Sequence, residues 1–405
     1  HWWVFSAVSL LIGILIGLEI PLLVRTFAAF GRRSTSELLG KVMAIDYFGS
    51  LVASLVFPLV LLPQLGLMRG AYLVGALNVL VAVLVLLQVR TPRKILWAAT
   101  AAVVALVGMF AAANRIERSV EALTYNDPIV YYQQTAYQKV VLTQYQDDLR
   151  LYLNGQLQFS SLDEARYHET LSASAMTSVK DPAHVLVLGG GDGLLAREIL
   201  RYPSVKDVTI VDIDPGVTEL ARSNRLLKDL NKASLSDPGV NVVNDDAFTY
   251  VQNSKATYDV ALIDLVDPSN EKLAKLYSTE FYRNIEARLA PEGVMVTQAT
   301  STFFSPHAFS TVASTVAAAQ PDRQILPFST NIPSFGEWGF VLSTRTPQNL
   351  ISQPLPKGLT YQDRETLEFI MRTKPARTET MEPSTLLHPR IVEVYNRDMR
   401  QWRYY

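Results

Sequence analysis

Asp192, set among the glycines of "VLVLGGGDG" (185–193), is the residue that most constrains the chemistry of this chain. Glycines after a buried strand let the backbone turn tightly and approach a ligand closely. A carboxylate at the start of the following helix is a poor choice for phosphate, because a helix N-terminus attracts anions through its free N–H groups and its dipole. The expected ligand is therefore not a phosphate and carries positive charge. More carboxylates follow downstream: Asp212 in "VDIDPG", Asp245 and Asp246 in "NDDAF", Asp264 and Asp267 in "DLVDPSN". Asp212, about 20 residues beyond the glycines, suits the ribose hydroxyls of a nucleoside. Asp246 then falls where it can accept from an adenine amino group. The competing use for strand-end aspartates is helix N-capping, which Asp214 and Asp245 suit.

These carboxylates need strands to carry them. From Tyr131, "KVVLTQY", "LRLYLNG" and "QLQFS" read as short strands with an Asn154–Gly155 hairpin turn, and Asp163–Thr177 reads as a helix. Strands at Val185–Leu188, Val208–Val211, Val240–Val243, Val260–Ile263 and Gly293–Gln298 then alternate with helices at Leu194–Arg201, Val217–Leu227, Phe248–Gln252 and Thr279–Leu289. That alternation predicts an open parallel sheet with helices on both faces. In such a sheet, ligands bind beyond the carboxyl ends of the strands, where the strand order reverses. "GFVLST" adds a late strand, and the proline-rich tail from Pro347 turns helical around Tyr361–Met371 and Ile391–Trp402.

The remainder of the chain is of another kind. Apolar runs at Trp2–Val24, Val42–Leu65, Ala71–Val89 and Ile95–Ala113 each approach the roughly 20 residues that cross a bilayer as a helix. Glu19 and Asp46 sit at their edges and are expected to pair with Arg25 and Lys41 near the headgroups. Arg25, Arg32, Arg33 and Lys41 in the first loop, and Arg90, Arg93 and Lys94 in the third, would put those loops inside the cell and the rest of the chain outside. An intracellular metabolite as substrate demands the reverse, and that demand is given priority. Across the 405 residues the net charge is −1, which offers nothing to nucleic acid. The absence of cysteine excludes disulfides, thiolate nucleophiles and zinc–thiolate sites, and the five histidines lack metal-ligand spacing, so no metal is expected.

Taken together, "YQKVVL", "LYLNGQLQFSSLDEARYHETL", "VLGGGDGLLAREILRYPSV", "VDIDPGV", "NDDAF", "DLVDPSN", "GVMVTQ" and "IPSFGEWGF" resemble the spermidine synthase family, the polyamine aminopropyltransferases, over roughly Tyr137–Ser343. With its apolar N-terminus, the chain looks like the bacterial membrane-bound branch. The resemblance implies a transmembrane α-helical bundle (1–114), a small β-hairpin domain (115–160), an α/β Rossmann-like, class I methyltransferase-like catalytic domain (161–345) and a C-terminal helical tail (346–405). It implies decarboxylated S-adenosylmethionine, or S-adenosylmethionine, as co-substrate and a small amine as acceptor, in the bacterial inner membrane with the catalytic domain in the cytoplasm. It leaves a homodimer open. By matching positions, Gln138, His168, Gly189 and Gly191 contact the donor, Asp212 the ribose, and Asp246 with Ala247 the adenine. Asp192 holds the cationic amine of the aminopropyl arm, Asp264 is the general base, and Tyr167, Asp267 and Gln298 line the acceptor side. Phe335 stands where the family places a tyrosine, which puts the acceptor's identity in question. His168 has an alternative use as a packing residue. Competing readings are internal cleavage of S-adenosylmethionine without an acceptor, methyl transfer, and a transporter or sensor that only binds.

Overall fold

The computed structural model describes residues 2–30, 35–88, 91–121, 124–347 and 350–402. The chain divides into two units, His1–Glu121 and Ala122–Tyr405.

The first unit is helical: α1 (Trp2–Phe30), α2 (Thr35–Val56), a π-helical turn (Phe57–Leu61), α3 (Leu62–Gln88) and α4 (Arg93–Glu121). Gly66, at φ +73, breaks the regular path near the start of α3. Large apolar side chains stand exposed around these helices, including Leu51, Leu77 and Trp97. A helix that is apolar on all sides needs an apolar surrounding. Leu39–Leu61, Gln64–Leu87 and Arg93–Ala113 are long and apolar enough to cross a membrane, and Phe5–Leu18 forms a shorter apolar stretch. The boundary expected at 114 lies inside α4. Arg32, Arg33 and Arg90 lie outside the described residues, as does the side chain of Glu19; Asp46 is exposed.

The second unit opens with an antiparallel sheet of β1 (Ile129–Gln134), β2 (Lys139–Tyr145), β3 (Asp148–Leu153) and β4 (Gln156–Ser160), in that order. Asn154 and Gly155 adopt φ +51 and +82 between β3 and β4, the twist a two-residue hairpin needs. Helix α5 (Glu164–Met176) follows and is buried along nearly its whole length.

A second sheet is built from β5 (His184–Gly189), β6 (Asp207–Val211), β7 (Val240–Val243), β8 (Tyr258–Asp264), β9 (Leu289–Ser301), β10 (Gln324–Ile332) and β11 (Gly336–Thr344). Its order is β10-β11-β9-β8-β5-β6-β7. β5 through β9 run parallel, and β11 and β10 close the far side antiparallel, so the sheet is mixed rather than wholly parallel. Its connecting helices are α6 (Leu194–Ile199), α7 (Pro215–Ser223), α8 (Arg225–Leu230), α9 (Ala247–Asn253), α10 (Glu271–Ala274), α11 (Thr279–Glu286) and α12 (Pro306–Ala319). The helix expected at Val217–Leu227 is two helices, because Asn224 turns extended and its Oδ1 accepts from the N–H groups of Leu226 and Leu227. Apolar cores fill both faces of the sheet, one around Val187, Leu262 and Val296, the other around Leu188, Ile263 and Phe281. The order in which strands are added reverses at β5: β6 and β7 lie on one side and β8 and β9 on the other, with parallel β5 and β8 side by side and Gly189 opposite Asp264.

Helices α13 (Arg364–Arg372) and α14 (Arg390–Arg400) form the tail. It is tied down by buried carboxylates. Glu169 on α5 accepts from the backbone N–H groups of Thr360, Tyr361 and Gln362. Asp398 on α14 accepts from the His307 and Ala308 N–H groups at the start of α12.

Candidate active site

The glycines of the β5–α6 loop are required first by the protein's own carboxylates. A Cβ at Gly189, where φ is +87, would overlap the Asp264 carbonyl oxygen, and one at Gly191 would overlap Asp212 Oδ2. Side chains there would push the acidic strand ends apart. Their absence lets Asp192, Asp212 and Asp264 converge on one cavity of about 720 Å3.

Strand ends of the large sheet form the floor of that cavity, and the small sheet supplies a wall through Gln138, Leu151, Asn154 and Gln158. Of the residues singled out in the sequence, Gln138, His168, Gly189, Gly191, Asp192, Asp212, Asp246, Ala247 and Asp264 line it. Tyr167, Asp267 and Gln298, on α5, after β8 and on β9, are not among its lining residues. Tyr167 Oη donates to Asp264 Oδ1 at 2.6 Å. Gln298 Nε2 donates to the Leu265 carbonyl and to Tyr277 Oη, both at 2.5 Å, while its Oε1 accepts from Thr300 N–H. Gln298 thus holds the loop after β8. Thr300 follows at φ +68, a costly conformation for a β-branched residue, held by this contact and by Ser305 Oγ.

Each cavity carboxylate has structural ties as well. Asp192 Oδ1 accepts from Leu194 N–H at 2.9 Å. Asp212 accepts from Gly191 and Asp214 N–H. Asp246, rather than Asp245, caps α9 through Thr249 N–H, and its Oδ2 pairs with Lys275 Nζ at 2.6 Å. Asp214 caps α7 as expected.

Burial acts upward on every carboxylate of the floor and prevails at all but Asp246. Asp192 and Asp212 are each pushed up to about 6, Asp192 against the opposing pull of His168. Asp264 is raised by burial as well, against His168 and Tyr167. Behind it, burial pushes Asp267 up to about 6. Only Asp246 is lowered, because Lys275 and Thr249 outweigh the effect of burial. For His168 burial works downward, but its hydrogen bond to Glu164 and the charges of Glu164, Asp192 and Asp264 overcome it and raise the ring to about 9. The histidine is both held and exposed to the site: Nδ1 donates to Glu164 Oε2 at 2.8 Å, and Arg197 Nη2 braces Glu164 at 2.9 Å.

Sequence reasoning missed Glu164, Arg197, Lys275 and Tyr395, whose Oη donates to Asp267 Oδ2 at 2.9 Å. Glu164 was readable, since it lies one helical turn before His168. The others come from distant segments. Among the described residues, no group of three or more His, Asp or Glu is arranged to hold a metal ion. The cavity can bind a cationic, nucleoside-sized molecule, orient it against carboxylates, and accept a proton at Asp264.

The spermine/spermidine synthase domain family matches residues 164–353. A polyamine aminopropyltransferase of Streptomyces coelicolor is 40% identical, over 98% of this chain and 76% of its own length. One from Oceanobacillus iheyensis is 37% identical, over 96% and 78%. Among solved structures, the Thermotoga maritima spermidine synthase superposes with a TM-score of 0.55 at 25% identity, covering 60% of this chain and 84% of its own. A spermidine synthase in complex with the transition-state analogue AdoDATO shares the fold, with a TM-score of 0.56 at 24% identity over 60% and 85% of the two chains.

Proposed function

The chain belongs to the polyamine aminopropyltransferases, the spermidine synthase family of transferases, and on that premise we propose that it moves an aminopropyl group from decarboxylated S-adenosylmethionine to a polyamine such as putrescine, releasing 5′-methylthioadenosine. The observation that carries this reading is the acidic floor of the cavity, where Asp192, Asp212 and Asp264 meet around a space of nucleoside size. The donor brings a sulfonium and an ammonium, and the acceptor brings two ammonium groups. Carboxylates strained by burial gain most from such partners.

In this reading Asp212 takes the ribose hydroxyls. Asp246 and the backbone of Ala247 meet the adenine, with Lys275 giving up or sharing Asp246. Gln138 and His168 flank the donor, and Asp192 holds the ammonium of the aminopropyl arm. Asp267 faces the acceptor from behind Asp264. The attacking amine first loses a proton to Asp264, whose second oxygen is steadied by the Tyr167 hydroxyl. The freed nitrogen lone pair forms a bond to the methylene carbon next to sulfur. The carbon–sulfur bond breaks, its electrons stay on sulfur, and neutral 5′-methylthioadenosine leaves. Rate comes largely from holding the two reactants in line away from water.

The apolar helices of the first unit support membrane anchoring in the bacterial inner membrane, and the metabolite substrate supports a cytoplasmic catalytic unit. The test is to incubate the full chain, purified in detergent, with decarboxylated S-adenosylmethionine and putrescine, and to identify all products by mass spectrometry. Spermidine and 5′-methylthioadenosine in equal amounts are expected. 5′-Methylthioadenosine formed from S-adenosylmethionine without an amine, and no spermidine in any mixture, would overturn the transfer reading.

A further inference from the structure

We propose that Tyr395, on the C-terminal helix α14, is a positioning residue for the acceptor side: it fixes Asp267 by one oxygen and keeps it ionised, so that the tail sets how tightly, and over what pH range, the amine is held. The proposal rests on the reading of Asp267 as an acceptor carboxylate.

Tyr395 is buried, and its Oη donates to Asp267 Oδ2 at 2.9 Å. The other oxygen, Oδ1, is shielded from solvent and has no hydrogen-bond partner. A buried carboxylate oxygen left without a partner is costly, and a protonated amine would satisfy it. The loop carrying Asp267 is gripped from the same helix a second time, since Asn396 Nδ2 donates to the Ser269 carbonyl at 3.2 Å. Asp398, one turn beyond Tyr395, anchors α14 on the start of α12 through His307 and Ala308. Two contacts from one helical stretch thus hold the tail to the acceptor loop, and a third fixes that stretch on α12.

The titratable groups acting on Asp267 are Tyr395 from α14, Tyr277 from the turn after α10 and Tyr167 from α5, with Asp264 three residues before it at the end of β8. Tyr277 spends its proton on the Val266 carbonyl and Tyr167 spends its own on Asp264. Tyr395 is the hydroxyl that donates to Asp267, and it opposes the effect of burial, which leaves this carboxyl at about 6. Removing it moves the carboxyl further up, so Asp267 is protonated over a wider range and amine binding weakens on the acid side. The effect fades once the pH exceeds the shifted value. Putrescine stays doubly protonated throughout that range, so its own titration does not mimic the effect.

The experiment is calorimetric titration of putrescine into the full chain in detergent, saturated with 5′-methylthioadenosine, between pH 5.5 and pH 8. Wild type, Tyr395→Phe and Asp267→Asn are compared. Loss of one hydrogen bond to a charged group shifts the carboxyl by about one unit, so Tyr395→Phe should weaken binding by about three- to tenfold between pH 6.5 and 5.5 and by less than about twofold at pH 8. Asp267→Asn should weaken it at every pH. A Tyr395→Phe deficit that is absent, or equal at all pH values, while Asp267→Asn binds poorly, overturns the role of Tyr395 alone. Unchanged binding in Asp267→Asn overturns the acceptor reading of Asp267, and the proposal with it.

Discussion

Removing the hydroxyl of Tyr167 is the sharpest single perturbation of the site that leaves its shape alone. Tyr167 Oη donates to Asp264 Oδ1 at 2.6 Å, and the ring packs edge-on against His168 and beside Phe340. Phenylalanine keeps those ring contacts. A hydrogen bond to a charged group is worth about 1.5–3 kcal/mol, and 1.36 kcal/mol corresponds to one pKa unit, so Asp264 should move up by roughly one to two units. Burial has already raised it. A general base works deprotonated, so a higher pKa removes active enzyme at neutral pH and restores it as the pH rises. The expected result for Tyr167→Phe is a kcat lower by about 10- to 100-fold on the acid side, with the acid limb of the profile moved alkaline and near-normal turnover well above it. Since Tyr167 is not among the lining residues of the cavity, 5′-methylthioadenosine affinity should be unchanged. The assay is kcat against pH for both proteins at saturating amine, with calorimetry of the nucleoside. A profile that superposes on wild type, or a uniform loss accompanied by lost nucleoside affinity, would contradict a role for the Tyr167 hydroxyl in tuning Asp264.

Gly191→Ala places a methyl group on Asp212 Oδ2, so 5′-methylthioadenosine affinity should fall at least about tenfold by calorimetry while the fold persists; unchanged affinity would detach Asp212 from the nucleoside. Stability should depend on pH in a defined direction. Asp192, Asp212 and Asp267, raised to about 6, favour the folded state while protonated and lose that advantage as the pH rises through 6, and His168, raised to about 9, loses its contribution as the pH rises through 9. Glu164, which is lowered, acts only below about pH 4.5. Melting of the free protein should therefore come at a higher temperature at pH 5.5 than at pH 8, and a melting point that rises across this range would contradict the buried-carboxylate picture. For orientation, a cysteine introduced at Asn154 is the chain's only thiol; it should resist an impermeant reagent in intact cells, and labelling there would place the catalytic unit outside.

The carboxylates at the ends of β5, β6, β7 and β8 were legible because strand, glycine and aspartate follow one another within a few residues. The β3–β4 hairpin was legible for the same reason, through Asn154 and Gly155. What escaped depends on segments far apart in the chain. β10 carries Pro327 in an edge strand, and α12 is rich in alanine, serine and threonine with little polar contrast between its faces; neither shows a clear periodicity. The glycines signal room for a ligand in the sequence, yet they first make room for Asp212 and Asp264. Gln298 had the right type for a substrate contact but turns to the loop backbone, a choice that only the position of Leu265 reveals. Tyr395 reaches Asp267 from 128 residues away, and no local pattern announces it.

In the proposed mechanism Asp264 takes the proton from the amine on an acidic nucleoside site. Single-turnover and steady-state rates of Asp264→Asn, with decarboxylated S-adenosylmethionine and putrescine, test it most directly. Asparagine keeps the volume and can still accept from Tyr167, but it cannot take a proton at neutral pH. Turnover is expected to be lower by roughly 10²–10⁴-fold, with 5′-methylthioadenosine affinity within about twofold of wild type. Near-wild-type turnover in Asp264→Asn would contradict it.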